Sequence, residues 1–354
     1  MQETRVGIVG AGKMGITHCG SFMRVESARV VSACDPDRSK LAVIRSSEWP
    51  EVEYYEGHFS PEYIIPEVYT DLTEMLLKSP IDAVIVSTPN VTHYEIVKES
   101  LKAGKHVLVE KPAATTYEHA LELASIARDK GLVLSVGQCW RFHPHIQYAR
   151  EIVGSGIIGE IVKFKGFGIH ESYVPSSSWF SRKELSGGGA LIDMGIHPID
   201  TLRYVLGKVQ ISHVAGSYIT AFGSYDVEDV GVAIMTMENG APGIVEFGWA
   251  NPHTDGVESS IQIFGTKGYL RVFPTSLKLT VAEKKGEFFP KICDWYLTRE
   301  LYIRQARHFI ECIESGVENI NSGIDNTETM RIIDALYRSN NEKRVVFLNE
   351  YRTI

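Results

Sequence analysis

The fold is decided by Val6-Gly7-Ile8-Val9-Gly10-Ala11-Gly12-Lys13-Met14-Gly15. A short strand-forming run passes directly into G-x-G-x-x-G and then into a helix-like segment, the setting in which that fingerprint binds a dinucleotide. Gly10 allows the tight turn, Gly12 lets the backbone come close to a pyrophosphate, and Gly15 lets the helix pack on the strand. Lys13 and Met14 complete the phosphate loop, whose helix N-terminus offers a positive dipole end and free N–H groups. Outward from this point, a second strand-like run over residues 30–34 ends at Asp35, twenty residues after Gly15. A carboxylate there accepts both ribose hydroxyls and repels a 2′-phosphate, which favours NAD over NADP. Arg38 leaves NADP open, because it can stack on adenine in either cofactor or neutralise a 2′-phosphate.

Further apolar runs at residues 83–87, 107–110 and 132–136 alternate with helix-period segments, such as Tyr94, Val97, Leu101 and then Ala120, Leu123, Ala124, Ala127. That alternation predicts a doubly wound parallel sheet, a Rossmann domain over residues 1–137. Residues 47–70, rich in aromatics and proline, read as a surface excursion. Beyond about residue 155 the pattern changes. Runs at 161–170, 209–221, 230–237, 243–249, 257–264 and 269–273 read as strands, with Asn239-Gly240 as a hairpin cue. The second domain, residues 138–354, is therefore expected to be α+β, with a large, mostly antiparallel open sheet. Helices over 302–313 and 327–337 are expected to cover one face of it. Pairing of copies through the other face predicts a homo-oligomer, a dimer or tetramer.

Composition narrows the function. The 354 residues carry 36 Lys and Arg against 44 Asp and Glu, a net charge of −8, and no basic run, which argues against nucleic acid. No apolar run approaches the ~20 residues of a membrane span. The N-terminal residues lack an apolar leader pattern, so a cytoplasmic protein is expected. Five scattered cysteines without a CxxC pair read as reduced buried thiols, and no His/Cys/Glu spacing suggests a metal.

Ligands in open α/β sheets sit outside the carboxyl ends of strands. The relevant ends here are Ser87-Thr88-Pro89-Asn90, followed by His93, and Glu110-Lys111-Pro112, all candidate cofactor contacts. With these residues the chain resembles the Gfo/Idh/MocA family of oxidoreductases. The likeness continues through Gly137-Gln138-Cys139-Trp140-Arg141-Phe142, through the run from Ser186-Gly187-Gly188-Gly189 to Asp193, His197 and Asp200, and through Phe264-Gly265-Thr266-Lys267-Gly268. The 47–70 excursion and Asn319-Ile320, where many relatives carry proline, depart from the pattern.

The resemblance implies that Lys111 and His197 are the catalytic pair, with Asp193 beside them. Physical chemistry agrees with those roles. Hydride transfer from a carbinol leaves a proton on oxygen, which a histidine can take. An ammonium at Lys111 stabilises the developing alkoxide. Asp193 and His197, four positions apart, orient one another or bind substrate hydroxyls. Pro198 disfavours helical geometry at His197, so the regular helix is expected to begin at Pro198. The resemblance also implies a cis Lys111–Pro112 bond and places Trp140 and Arg141 at the pocket rim, against cofactor and substrate, with a core tryptophan and a surface ion pair as the alternatives. His170 and Trp179 lie on a segment read as a lid or an ordered linker; with Lys111, Arg141, Asp193 and His197 they form the candidate substrate set.

The implied activity is NAD(P)-dependent hydride transfer at a secondary hydroxyl or carbonyl of a sugar, inositol or sugar derivative. Two alternatives stand beside it: a sugar-modifying enzyme of glycosidase or epimerase type that retains its NAD, and a nucleotide-binding regulator without catalysis.

Overall fold

The structure is a computed structural model describing residues 3–46, 65–207, 210–250, 259–273, 275–281, 284–292 and 298–351. The chain divides into two compact units. The first comprises Met1–Ala114, Glu118–Cys139 and Leu297–Asn326, and the second Thr115–Tyr117, Trp140–Tyr296 and Thr327–Ile354.

In the first unit, β1 (Thr4–Val9), α1 (Lys13–Phe22), β2 (Ala28–Cys34), α2 (Arg38–Arg45), β3 (Glu67–Tyr69), α3 (Leu72–Lys78), β4 (Ala83–Val86), α4 (Asn90–Lys102), β5 (His106–Val109), α5 (Tyr117–Lys130) and β6 (Leu134–Val136) follow one another. Among the described residues the six strands are parallel in the order β3-β2-β1-β4-β5-β6. The order reverses between β1 and β4, so the loops after these two strands flank the switch point. Strands buried on both faces read as unbroken apolar runs: Ala83, Val84, Ile85 and Val86 are all fully buried. Part of the supposed excursion is structured, because residues 67–69 form the edge strand β3; residues 47–64 of that stretch lie outside the described residues.

The second unit holds α6 (Pro144–Gly154), β7 (Ile161–Ile169), the short α7 (Lys183–Ser186), α8 (Ile196–Leu206), β8 (Ile211–Ile219), β9 (Val230–Met237), β10 (Pro242–Gly248), β11 (Ser259–Gly265), β12 (Gly268–Val272), β13 (Ser276–Val281) and β14 (Lys284–Phe288). After α9 (Thr298–Ser315) and α10 (Gly323–Glu342), β15 (Val346–Phe347) closes the sheet. The described strands run β14-β13-β12-β11-β7-β10-β9-β8-β15, antiparallel except for the β7–β10 pair. Glycines on the inner face let helices approach: a Cβ at Gly166 would lie 3.1 Å from Pro198 Cβ, and one at Gly216 would lie 2.9 Å from the Leu336 carbonyl.

One expectation is corrected here. The helix expected over 302–313 is α9, and it packs in the first unit rather than on the antiparallel sheet. Its apolar stripe of Ala306, Phe309 and Ile310 joins the core of Val6, Ile8, Phe22 and Ile85, with Phe309 edge-on to Phe22 at 6.1 Å between ring centroids. A division of the chain at residue 137 places this segment with the second domain, whereas its buried face belongs to the first unit.

Candidate active site

At the end of β1, Gly10 has φ +93°, and a Cβ there would lie 2.6 Å from the Ser87 carbonyl oxygen. Only glycine lets the β1 and β4 ends meet this closely. A Cβ on Gly15 would fall 1.9 Å from the Gly10 carbonyl, so its absence seats α1 against the turn. Gly12 differs: nothing lies within 4 Å of where its Cβ would be. It is the N-cap of α1 and supplies no capping side chain. An open glycine at the positive end of a helix is what a pyrophosphate requires, so these residues fit the dinucleotide.

Asp35, 6% exposed, follows β2. Its Oδ2 accepts the Ala11 N–H at 2.8 Å and its Oδ1 the Asp37 N–H at 2.9 Å. Each oxygen keeps a lone pair for a ribose hydroxyl. Lys13 and Arg38 are exposed, and Met14 is half-buried. The Ser87 hydroxyl donates to the Gly10 carbonyl at 3.0 Å and braces the turn. Thr88 accepts from the Thr92 hydroxyl at 2.7 Å, and buried Asn90 opens α4.

His93, expected to touch the cofactor, is fully buried. Its Nδ1 lies 2.7 Å from the Pro112 carbonyl oxygen and its Nε2 2.8 Å from that of Thr88. This side chain ties together the loops after β4 and β5. Burial holds its pKa below the ordinary histidine value, against the opposing pull of the two carbonyls and Glu110.

Glu110 is likewise buried. Its Oε1 lies 2.7 Å from His18 Nε2, and its Oε2 accepts the Lys111 N–H at 3.2 Å. Burial pushes this carboxyl up, but His18, Lys111 and His93 outweigh it and hold it below the usual carboxylate value. His18 is a residue that the sequence motifs did not reveal. Lys111 itself is half-buried, and its bond to Pro112 is cis.

In the second unit, residues Leu191–Gly195 form a π-helical turn that runs straight into α8. Helical geometry therefore does not wait for Pro198. Pro198 lacks the N–H that would bond the Met194 carbonyl in a regular helix. That carbonyl presses instead on β7, where a Cβ on Gly168 would lie only 2.2 Å away. Such π turns recur at functional sites. Asp193 stands on this turn, half-buried, and His197, also half-buried, is the second residue of α8. The indole Nε1–H of Trp249 donates to Asp193 Oδ2 at 3.0 Å. His170, just past β7, lies over the Trp249 ring at 6.5 Å between centroids, 18° from parallel. Trp249, the residue after β10, thus contacts both Asp193 and His170, which its place at the end of a run expected to be a strand did not show.

Arg141 is corrected outright. It is 1% exposed, not at a rim, and forms a bidentate pair with buried Asp200 at 2.7 and 2.6 Å. Thr329 donates to the same carboxylate at 2.9 Å. An ion pair is observed, but in the interior, so the surface ion pair given as the alternative does not hold either. Trp140 is half-buried, with Phe273 edge-on at 5.4 Å and His143 near-parallel at 5.9 Å. Trp179 stacks on Phe180 at 3.8 Å in a one-turn helix whose N-cap is Ser178. The Lys183 N–H nearby donates to Asp226, 43 positions along the chain, which ties this segment to the loop before β9. Lys111 belongs to the first unit and Asp193 and His197 to the second.

Residues 4–138 match the model of the oxidoreductase family with an NAD-binding Rossmann fold, and residues 146–271 match the GFO/IDH/MocA C-terminal domain. The chain belongs to the GFO/IDH/MocA family.

Within that family, it is 28% identical over 350 residues to D-glucoside 3-dehydrogenase of Escherichia coli K12, covering 95% of each chain. It is 27% identical over 351 residues to inositol 2-dehydrogenase of Rhizobium meliloti 1021, covering 97% of this chain and 98% of the relative. Among solved structures, GenD2 from gentamicin A biosynthesis, in complex with NAD, superposes with a TM-score of 0.81 at 25% identity, over 98% of this chain and 97% of that one. The first domain is the family's NAD-binding domain. Among the described residues no helix is long and apolar enough to cross a membrane, and no group of three or more His, Cys, Asp or Glu could hold a metal. Cys19, Cys34, Cys139 and Cys312 are buried free thiols, and Cys293 lies outside the described residues.

Proposed function

We propose that this GFO/IDH/MocA protein is an NAD-dependent dehydrogenase acting on a secondary hydroxyl of a sugar, inositol or sugar derivative, or on the corresponding ketone. The observation that carries the proposal lies in the first unit. Gly10, Asp35, Ser87 and Lys111 all follow the carboxyl ends of parallel strands, on one edge of one sheet. Bound NAD supplies the hydride acceptor. His197 takes the hydroxyl proton, Lys111 stabilises the alkoxide charge that develops on the oxygen, and that charge collapses into the ketone C=O as the carbinol hydride is transferred. Asp193, held by Trp249, orients substrate hydroxyls or the imidazole. Asp35 selects NAD by accepting the ribose hydroxyls. The relatives' names support the substrate class, as does a set of hydrogen-bonding groups suited to a polyol. The proposal is tested by following NADH absorbance with a panel of inositols, sugars and glycosides. Chemical change of a substrate without NADH would favour the NAD-retaining alternative, and tight NAD binding with no turnover of any compound would favour the regulator.

Gly12→Val provides a separate test of the cofactor site. The Gly12 backbone, at φ −81° and ψ −165°, suits any residue, and its surroundings are open. The variant is expected to melt like the wild type yet lose at least about tenfold in NAD affinity, ~1.4 kcal/mol. Unchanged affinity by calorimetry would place the pyrophosphate elsewhere.

We also propose that copies of the chain pair through the sheet face opposite α8. Val232, Ile234 and Ile244 on β9 and β10 are 38–50% exposed there and would be covered by such pairing. Ile234→Glu should shift sedimentation toward monomer at micromolar concentration, and a wild-type monomer under those conditions would remove this proposal.

A further inference from the structure

The run Ser186-Gly187-Gly188-Gly189-Ala190-Leu191 leads into the π turn that carries Asp193, and one residue holds it. Glu228, which precedes β9 and is 6% exposed, captures three consecutive backbone N–H groups. Its side-chain Oε1 accepts from Gly189 and Leu191, each at 3.0 Å, while its own carbonyl accepts from Ala190 at 2.8 Å. Leading N–H groups of a helical segment have no partners inside it, so an acceptor from elsewhere sets where the segment begins. The Tyr337 hydroxyl donates to the same Oε1 at 2.9 Å. Gly189 passes the restraint on, since its carbonyl accepts the Asp193 N–H at 3.1 Å.

The three glycines are shaped to this clasp. Gly187 caps α7 at φ +78°. A Cβ on Gly188 would meet the Tyr337 hydroxyl at 2.0 Å, and one on Gly189 would meet the Glu228 carbonyl at 1.9 Å. Burial raises the Glu228 carboxyl above the ordinary glutamate value. What the clasp needs from it is an acceptor, not a charge.

We infer that Glu228 is the positioning residue of the active site, fixing the start of the Leu191–Gly195 turn and with it Asp193. The inference rests on the proposed function only for its effect on turnover. Glu228→Gln keeps an acceptor in place of Oε1, whereas Glu228→Ala removes it. In the NAD-bound protein, Glu228→Ala should lower kcat by about 10²-fold, the cost of an ångström-scale misplacement, with NAD affinity unchanged. Glu228→Gln should restore kcat to within a few-fold of wild type. A second readout needs no turnover. The Trp249 indole N–H signal, one of five in the spectrum and assigned with Trp249→Phe, reports the bond to Asp193. It should move in Glu228→Ala and stay in place in Glu228→Gln. Tyr337→Phe, which leaves the backbone N–H bonds intact, should move it less, and it takes the place of the alanine variant if that one fails to fold. A signal that stays in place in both Glu228→Ala and Tyr337→Phe, or one that Glu228→Gln moves as far as Glu228→Ala does, would overturn the assignment. Because the indole signal is independent of catalysis, a failure of the dehydrogenase reading leaves this test standing.

Discussion

Lys111→Ala should lower NADH formation by roughly 10²- to 10³-fold, the usual loss when one preorganised electrostatic group is taken from a developing oxyanion. NAD affinity should stay within a few-fold, because the turn at Gly10–Gly15 and the Asp35 carboxylate are untouched. The pairing of results matters. A charge that acts only in the transition state lowers kcat without weakening the ground state, whereas a lysine that merely held phosphate would raise the dissociation constant instead. Steady-state absorbance together with calorimetric NAD titration separates the two. Wild-type turnover in the variant would remove Lys111 from the chemistry.

The second large effect concerns stability. Arg141→Met should destabilise the fold by about 3–5 kcal/mol, since it strands the Asp200 carboxylate in the interior with only Thr329 among its observed donors. The double variant Arg141→Met, Asp200→Leu should recover much of that loss, as an apolar pair of similar volume often replaces a buried ion pair at little cost. Chemical denaturation of the two single variants and the double variant checks this directly. If Arg141→Met keeps full stability but raises KM for substrate, Arg141 belongs to the pocket after all.

The contrast between these two residues shows what local sequence carries. The position of Lys111 after β5 was legible because it depends on short-range order: an apolar strand, a carboxyl end and a following proline. Arg141 also follows a strand of the same sheet, so by position it reads the same way. Its fate is set by Asp200 and Thr329, far along the chain, and no local pattern couples the three. Trp249 repeats the lesson. It ends a run read as a strand, but the carboxylate its indole meets comes from a turn 56 positions away. The α9 stripe was readable as amphipathic, yet periodicity does not say which apolar surface a helix will find, and Phe22 lies in a distant segment. The π turn was missed for a different reason. The rule that proline disfavours helix before it holds for regular geometry, and here Gly168 makes room for the displaced Met194 carbonyl. The parallel sheet, by contrast, follows from patterns that each span fewer than about thirty residues, and it emerged as expected apart from the short edge strand β3.

The most direct test of the central claim is the fate of one hydrogen. A sugar or inositol that the enzyme turns over, deuterated at the reacting carbinol carbon, is incubated with the protein and NAD, and the nicotinamide product is weighed by mass spectrometry. Net hydride transfer predicts that NADH accumulates carrying the deuterium, in step with ketone. Altered substrate beside unlabelled, unreduced NAD would contradict it.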